Sequence, residues 1–295
     1  MREKKLPRHL SWLIGTVVVF SLMATVMGIF SNEGTGPYLH KSIRNTDVLI
    51  HGRGLYRHMS AEVAPQGIAQ DFVTLFIAIP VLLISFFVAR RGSRRGTVVL
   101  CGTLFYFFVS YLFYLVMGMY NAMFLIYVVL AGTSFFSFIR VLGSFDASLF
   151  RQAFSNNAPA GLAGTFLVLV AVSIGLLWLS IVVPPLLDGS IVPKETAHYT
   201  TLIVQGLDLA LLLPAAVISG VLLIRKKSEG FLYTSVYLVF LSLLMTALTA
   251  KLIAMAILGY PVVPAIFIIP VFNLCSVGMA IALIRSIQEV PAHSR

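Results

Sequence analysis

Three ionisable side chains inside or beside long apolar runs are the strongest candidates for chemistry in this sequence. Asp208 and Lys251 each lie several residues inside an apolar run, and Asp71 lies at the start of another. Charged groups are costly inside a bilayer and usually face a bundle interior or water, often at ion or substrate sites. The runs that carry Asp208 and Lys251 are consecutive, so we expect antiparallel helices with the two residues at matched depth. The sequence predicts either a solute site with Asp71 at its entrance or a structural Asp208–Lys251 ion pair.

Other polar residues extend this candidate site. Gln205 lies about one helical turn before Asp208 and would line the same face. Pro80, Pro214 and Pro270 interrupt three apolar runs, and a proline frees the backbone carbonyl four residues earlier. A freed carbonyl can coordinate a cation or permit bending, and an ordinary kink is the alternative. The predicted binding residues are Asp208, Lys251, Gln205, Asp71, Asn273 and Tyr114.

Aromatic and histidine patterns suggest two further kinds of site. Tyr106, Ser110 and Tyr114 share one helical face, which favours either an aromatic cavity for a lipid or ordinary packing. His58 and Glu62 have the i, i+4 spacing of a metal pair, but none of the six histidines lies in an apolar run. That placement excludes haem ligation between helices and argues against an intramembrane metal hydrolase. We therefore expect no cofactor, no metal and no catalytic residue.

Composition indicates which elements position these residues. Of the 295 residues, 59% are hydrophobic and 11% are charged, less than half the roughly 25% charged residues of soluble domains. Apolar runs long enough to cross a bilayer recur along the whole chain, which predicts an all-α polytopic transmembrane bundle. We expect eight spans at about 10–30, 69–90, 97–119, 122–143, 161–183, 202–224, 231–258 and 262–285, with an extracytoplasmic cap loop at 31–68.

Basic residues cluster at the ends of the apolar runs, which argues against nucleic acid as a partner despite the net charge of +10. In the eight-span topology, fifteen Lys and Arg residues lie on one side and five on the other. The positive-inside rule then predicts cytoplasmic N and C termini and a place in the inner (cytoplasmic) membrane. A signal peptide is the alternative for residues 10–30, but a run of about 20 residues favours an uncleaved helix.

A weak pattern recurs 134 residues along the chain. Sliding by that distance superposes 77–96 on 211–230 with five identities in twenty, including Pro80 on Pro214. Both segments run in the same direction in the predicted topology. Two parallel four-helix halves and coincidence therefore both stay open. Transporter repeats of this kind place their sites near the interface between the halves.

The segment around Pro80 contains the motifs Gln70-Asp71-x-Val-Thr-Leu, Pro80-x-Leu-Leu-x-Ser85 and Arg91-Gly92-Ser93, followed by Tyr114, Asn121 and Tyr127. These motifs resemble those of a bacterial family of multi-pass membrane proteins with about eight helices. The similar region covers about a third of the chain. No activity is established for that family, so the resemblance implies membrane architecture and assigns no functional residue.

Three functions are consistent with these residues. The first, which we favour, is a permease or transporter-like protein for a small solute, ion or lipid, with its polar site in the outer half of the bundle. The second is a non-catalytic membrane subunit or sensor that binds a lipid or protein partner. The third is a lipid-headgroup enzyme, which requires Asp71, Glu62 and His58 to converge at the outer interface. In each case the bilayer itself is the expected partner.

Overall fold

Eight long helices, each apolar enough to cross a bilayer, dominate the computed structural model, which describes residue 7 and residues 9–289. The predicted all-α polytopic bundle is therefore confirmed, and the chain is a multi-pass membrane protein. The helices are α1 (Leu10–Phe30), α2 (Ala64–Arg90), α3 (Arg94–Val116), α4 (Phe124–Leu142), α5 (Ala160–Leu187), α6 (Ile203–Ile224), α7 (Ser228–Ile257) and α8 (Ala265–Arg285).

Successive long helices alternate in direction, so the bundle has two distinct ends. We call one the cap end, because the cap, residues 31–63, lies there with the connections 117–123, 188–202 and 258–264. The opposite end, which we call the arginine end, contains the turns at 91–93 and 225–227. It also contains a six-residue helix, Ala147–Gln152, in the connection between α4 and α5.

Helix α7 is the central element of the bundle. It packs against α2, α3, α5, α6 and α8. Its approach to α3 is close because Gly102 has no side chain: a Cβ there would lie 2.5 Å from the Cβ of Val239 and 2.6 Å from the carbonyl of Val236. Small residues permit such close helix packing. Close packing matters in a membrane, because the hydrophobic effect does not drive apolar helices together in lipid. A residue on α7 can therefore face several neighbours at once.

Helices α2 and α6 each contain one wide π-helical turn, at Thr74–Ala78 and at Asp208–Leu212. The amide of Ile79 bonds to the carbonyl of Thr74, and the amide of Leu213 bonds to that of Asp208, five residues back in both helices. A proline follows each turn by two residues and removes a donor from the ordinary helical ladder. Such π turns are frequent at functional sites.

The local structure of α2–α3 recurs in α6–α7 at the same distance of 134 residues that relates the sequences. The π turns and the starts of α3 and α7 all obey this offset. In both pairs a glycine packs onto the preceding helix: a Cβ at Gly96 would lie 2.6 Å from Val88, and one at Gly230 would lie 2.3 Å from Leu223. Two complete four-helix halves stay a prediction.

The cap folds as a small hairpin and is tied to a distant loop. Strand β1 (Tyr38–Lys41) pairs antiparallel with β2 (Asp47–Ile50). Between the strands, the Arg44 guanidinium donates to the carbonyls of Ala197 and Tyr199 at 3.2 and 2.9 Å. These bonds join the first cap-end connection to the one between α5 and α6. Three apolar cap side chains pack into the hydrophobic core of the bundle, namely Leu55, Tyr56 and Met59.

Candidate functional site

Asp71 lies inside the bundle and not at the entrance, where the sequence pattern had predicted it. Helix α2 begins at Ala64, five residues earlier than predicted, because Pro65 suits the first turn of a helix and lets the chain start helical there. Asp71 is thus about 10 Å from the cap end of α2, at about 1.5 Å per residue. Its side chain is only 2% exposed.

Two tyrosines bind the Asp71 carboxylate. The Tyr56 hydroxyl donates to Oδ2 at 2.5 Å, and the Tyr114 hydroxyl lies 3.0 Å from both Oδ1 and the carbonyl of Gly67. Tyr56 belongs to the cap and Tyr114 to α3, so three elements converge on one side chain. Burial, followed by the nearby Asp71 charge, raises the pKa of Tyr56 well above its ordinary value. The phenol therefore keeps its proton and can donate.

A second hydrogen-bonded network lies beside the carboxylate and was not predicted. The Gln70 amide donates to the Tyr106 hydroxyl at 2.6 Å and to the Ser110 hydroxyl at 3.3 Å. Thr74 lies 3.0 Å from the Tyr106 hydroxyl and donates to the Gln70 carbonyl at 2.9 Å. All of these side chains are buried. The Tyr106–Ser110–Tyr114 face of α3 therefore packs on the polar side of α2.

Two buried tyrosine hydroxyls near Asp71 have no hydrogen-bond partner within the described part of the chain. Tyr111 is 1% exposed and Tyr127 is 2% exposed. Their rings lie 6.0 Å apart, and the charge of Asp71 acts on both phenols. Buried hydroxyls normally bond to protein or to ordered water. Ser21 acts on the Tyr111 phenol, and Asn121 and Tyr56 act on that of Tyr127, without forming a hydrogen bond of normal geometry. Of the two tyrosines, Tyr127 also lines a cavity at the cap end.

Helix α1 closes the site from another side. A Cβ at Gly28 would lie 1.8 Å from Asp71 Oδ2 and 2.9 Å from the Tyr56 hydroxyl. No side chain fits at this position without moving the carboxylate. Gly28 was not predicted as part of the site, because a lone glycine in an apolar run does not indicate which residues pack against it.

Lys251 interacts electrostatically with both carboxylates but contacts neither. Its charge acts on Asp71 and on Asp208, and the effect of Asp71 is the larger. The side chain is partly buried, and across residues 9–289 it has no hydrogen bond and no ion pair within 4.0 Å. The predicted Asp208–Lys251 contact is therefore not formed in this structure. Lys251 is a cation shared between two acidic groups on different helices.

Asp208 has a partner of its own. Trp178 on α5 donates its indole N–H to Asp208 Oδ2 at 2.8 Å. Gln205, one turn earlier, is partly buried, and its side chain has no bond to a described residue. Asn273 accepts a bond from Thr246 at 3.1 Å, which joins α7 to α8 and does not bring the amide to either carboxylate. Of the predicted set, the structure brings Asp71 and Tyr114 into direct contact.

The convergence required by the enzyme hypothesis is not present in the described residues. His58 and Glu62 are exposed on the cap, whereas Asp71 is buried beneath Tyr56. The exposed His58 ring accepts a bond from Arg57 at 3.2 Å. Nor do residues 9–289 contain a group of three His, Cys, Asp or Glu side chains that could hold a metal ion. The cap residue that contacts Asp71 is therefore Tyr56, and not His58 or Glu62.

A cavity of about 70 Å³ at the cap end extends to Tyr114 and Tyr127, two of the tyrosines near Asp71. It lies between the end of α3 and the start of α4, so it opens where the chain turns from one helix to the next. Its size and mixed polar and apolar lining suit a few water molecules. The lining residues are Tyr114, Leu115, Gly118, Met119, Tyr120, Asn121, Phe124 and Tyr127.

Comparison of this chain with protein-family models, curated proteins and solved structures gave no match. The geometry of the site is therefore the basis for the functional argument that follows.

Proposed function

We propose that this membrane protein is a permease for a small polar solute or ion, with Asp71, Lys251 and Asp208 at its binding site. The observation that carries this proposal is the buried Asp71 carboxylate, which is bound by two phenols and interacts with a lysine that forms no ion pair or side-chain hydrogen bond with residues 9–289. A side-chain cluster that served only to lock helices would place its opposite charges in contact. A cation that interacts with two carboxylates at a distance leaves room for a ligand.

The depth of the three charged groups supports a single site. Counted from the cap ends of their helices, Asp71, Asp208 and Lys251 lie at about 10, 8 and 9 Å, using about 1.5 Å per residue. Charged groups at such depth are rare in membrane helices and mark solute or ion pathways by default. In the predicted topology, the cap end faces outward and the site lies in the outer half of the bundle.

The two helices that contain Asp71 and Asp208 have irregular backbone hydrogen bonding close to these carboxylates. Each π turn, with the proline that follows it, interrupts the regular backbone ladder next to Asp71 or at Asp208. Interrupted helices line the sites of many transporters. A π turn followed by a proline is a milder interruption, at which a helix can bend. The cap closes the site through Tyr56, so a movement of the cap would open it.

The test of this proposal is solute entry into proteoliposomes. Light scattering would follow the swelling of vesicles in isosmotic glycerol, glycine, choline chloride or sodium acetate. We expect faster entry of one of these solutes than in protein-free vesicles, and Asp71→Asn should reduce the rate at least about tenfold, since hydrogen bonds to a charged group contribute about 1.5–3 kcal/mol.

Glu62→Gln is the matched control, because Glu62 is an exposed carboxylate on the cap and should transport at the wild-type rate. Swelling equal to that of empty vesicles with every solute would overturn the permease proposal. Wild-type rates in Asp71→Asn would overturn the assignment of the site.

A second candidate function, lipid binding by a non-catalytic subunit, is supported by an apolar groove of about 280 Å³ between α3, α4, α6 and α7. The groove fits part of an acyl chain. Arg140 and Arg225 are exposed at the arginine ends of α4 and α6, where they could attract an anionic headgroup. The lining residues are Phe105, Phe138, Leu142, Ala215, Ile218, Ser219, Tyr233, Val236 and Tyr237.

Ile218→Trp should reduce severalfold the anionic phospholipid that co-purifies with the protein, because the indole would fill the groove. Leu211→Trp is the control, since Leu211 lies on the same helix outside the groove and is 56% exposed against 58% for Ile218. Native mass spectrometry of the detergent-solubilised protein would count the bound lipids. Equal lipid retention by the two variants would contradict lipid binding in the groove.

A further inference from the structure

The formal charges of Asp71, Asp208 and Lys251 do not sum to zero. Asp71 and Asp208 carry two negative charges when ionised, and Lys251 carries one positive charge. Lys251 is the one cation whose charge acts on Asp71 within the described part of the chain. An uncompensated charge buried in a bundle is strongly unfavourable. The cluster is therefore neutral only when it holds one further positive charge.

The groups that face Asp71 from the surrounding elements are otherwise phenols. Tyr56 approaches from the cap, Tyr106, Tyr111 and Tyr114 from α3, and Tyr127 from α4, while Lys251 approaches from α7. Phenols are neutral donors and acceptors, so they can solvate a proton or a water molecule without changing the charge count. The Tyr127 hydroxyl is available for this role, because it forms no hydrogen bond of normal geometry with a described residue and its side chain lines the same cavity as Tyr114.

Tyr114 provides a route to the carboxylate. Its hydroxyl lies 3.0 Å from Asp71 Oδ1, and the same residue lines the cavity that opens at the cap end. Water in that cavity can pass a proton to the Tyr114 oxygen as that phenol gives its own proton to Oδ1. Overall, a hydronium ion loses a proton and becomes water, one O–H bond forms on Asp71, and the cluster changes from a net charge of −1 to zero.

We propose that Asp71 binds one exchangeable proton, delivered from the cap end through Tyr114, and that this proton is the ion coupled to solute movement. The coupling rests on the proposed permease function, whereas the proton site rests on the geometry above. Neutralising Asp71 removes its attraction for Lys251, so the lysine is left to interact with Asp208 on α6. Proton binding on α2 would thus be transmitted to the second helix that contains a π turn.

Infrared difference spectroscopy tests the proton site directly. Spectra of the protein in nanodiscs would be compared between alkaline and acidic buffers. We expect a protonated carboxylic acid C=O band that appears on acidification, shifts in deuterated water and is lost in Asp71→Asn. Glu62→Gln should keep this band, because Glu62 is an exposed acid on the cap.

Tyr114→Phe provides a second measurement in case Asp71→Asn does not fold. It removes a hydrogen bond from Oδ1, so the band should shift in frequency and keep its intensity. The proposal is overturned if no band depends on Asp71, or if the band is unaffected by Tyr114→Phe. A band that disappears when sodium chloride replaces choline chloride would assign the site to Na⁺ and overturn the proton.

The spectra need no transported solute, so the two proposals can fail separately. An Asp71 band without solute entry into proteoliposomes would keep the proton site and remove the permease. Solute entry that requires Asp71 without such a band would keep the permease and remove proton coupling.

Discussion

Gly28→Ala is expected to destroy the Asp71 site and to lower the thermal stability of the protein, whereas Gly15→Ala should do neither. A methyl group at position 28 would lie 1.8 Å from Asp71 Oδ2 and 2.8 Å from its Cγ. The carboxylate would have to move and would lose its bond from Tyr56. Overpacking costs about 1–3 kcal/mol, and losing a hydrogen bond to a charged group costs about 1.5–3 kcal/mol.

Gly15 is a matched control because it lies on the same helix with nothing within 4 Å of an added Cβ. Helix propensity alone makes glycine-to-alanine changes favourable by about 1 kcal/mol. The two variants should therefore shift the unfolding temperature in opposite directions. Thermal unfolding in detergent would measure the shift, and solute entry into proteoliposomes would report the site. Equal behaviour of the two variants would show that α1 does not pack on Asp71 as described.

Lys251→Met is expected to lower the free energy of unfolding by about 2 kcal/mol, because two carboxylates then lose their shared cation. The expected loss is smaller than the about 3–5 kcal/mol for breaking a buried contact pair, since Lys251 is partly exposed and touches neither acid. Adding Asp71→Asn should recover most of this loss, and adding Asp208→Asn should recover less. The order follows from the stronger interaction of Lys251 with Asp71.

Two double-mutant cycles, with Lys251→Met combined with each aspartate change, would measure these coupling energies by chemical unfolding. Measuring solute entry distinguishes a binding site from a charge pair that only stabilises the fold. We expect the Lys251→Met/Asp71→Asn protein to be stable but inactive. Stability and activity restored together would mean that the charges serve only to hold the helices. Coupling to Asp208 alone would reinstate the ion pair expected from the sequence.

The Asp208–Lys251 prediction shows which part of a side chain's position a sequence pattern can predict. Distance along a helix follows from counting residues, and the two groups do lie at similar depths. The direction in which a side chain points around the helix axis depends on which neighbours the helix packs against. Helix α7 packs against both α2 and α6, so Lys251 interacts with acids on both and pairs with neither.

The position of Asp71 shows a second limit of sequence-based prediction, which concerns where a helix begins. Hydropathy detects a helix where the chain is continuously apolar, and residues 64–68 are not, so the helix start was predicted five residues late. That error moved Asp71 from the interior to the surface. Its tyrosine partners belong to the cap and to α3, 15 and 43 residues away in the chain. No spacing rule connects residues so far apart.

The sequence by itself determined the membrane class, the eight spans and the two charged residues within them, Asp208 and Lys251, because a bilayer requires long apolar helices and makes each buried charge conspicuous. Only the tertiary structure decided that Asp71 is also buried, among side chains from other elements of the bundle. The opening segment of α2 supplies Asp71, the cap folds Tyr56 down upon it, and Gly28 of α1 leaves the space that it occupies. These contacts depend on how separate helices pack, which periodicity and composition do not encode.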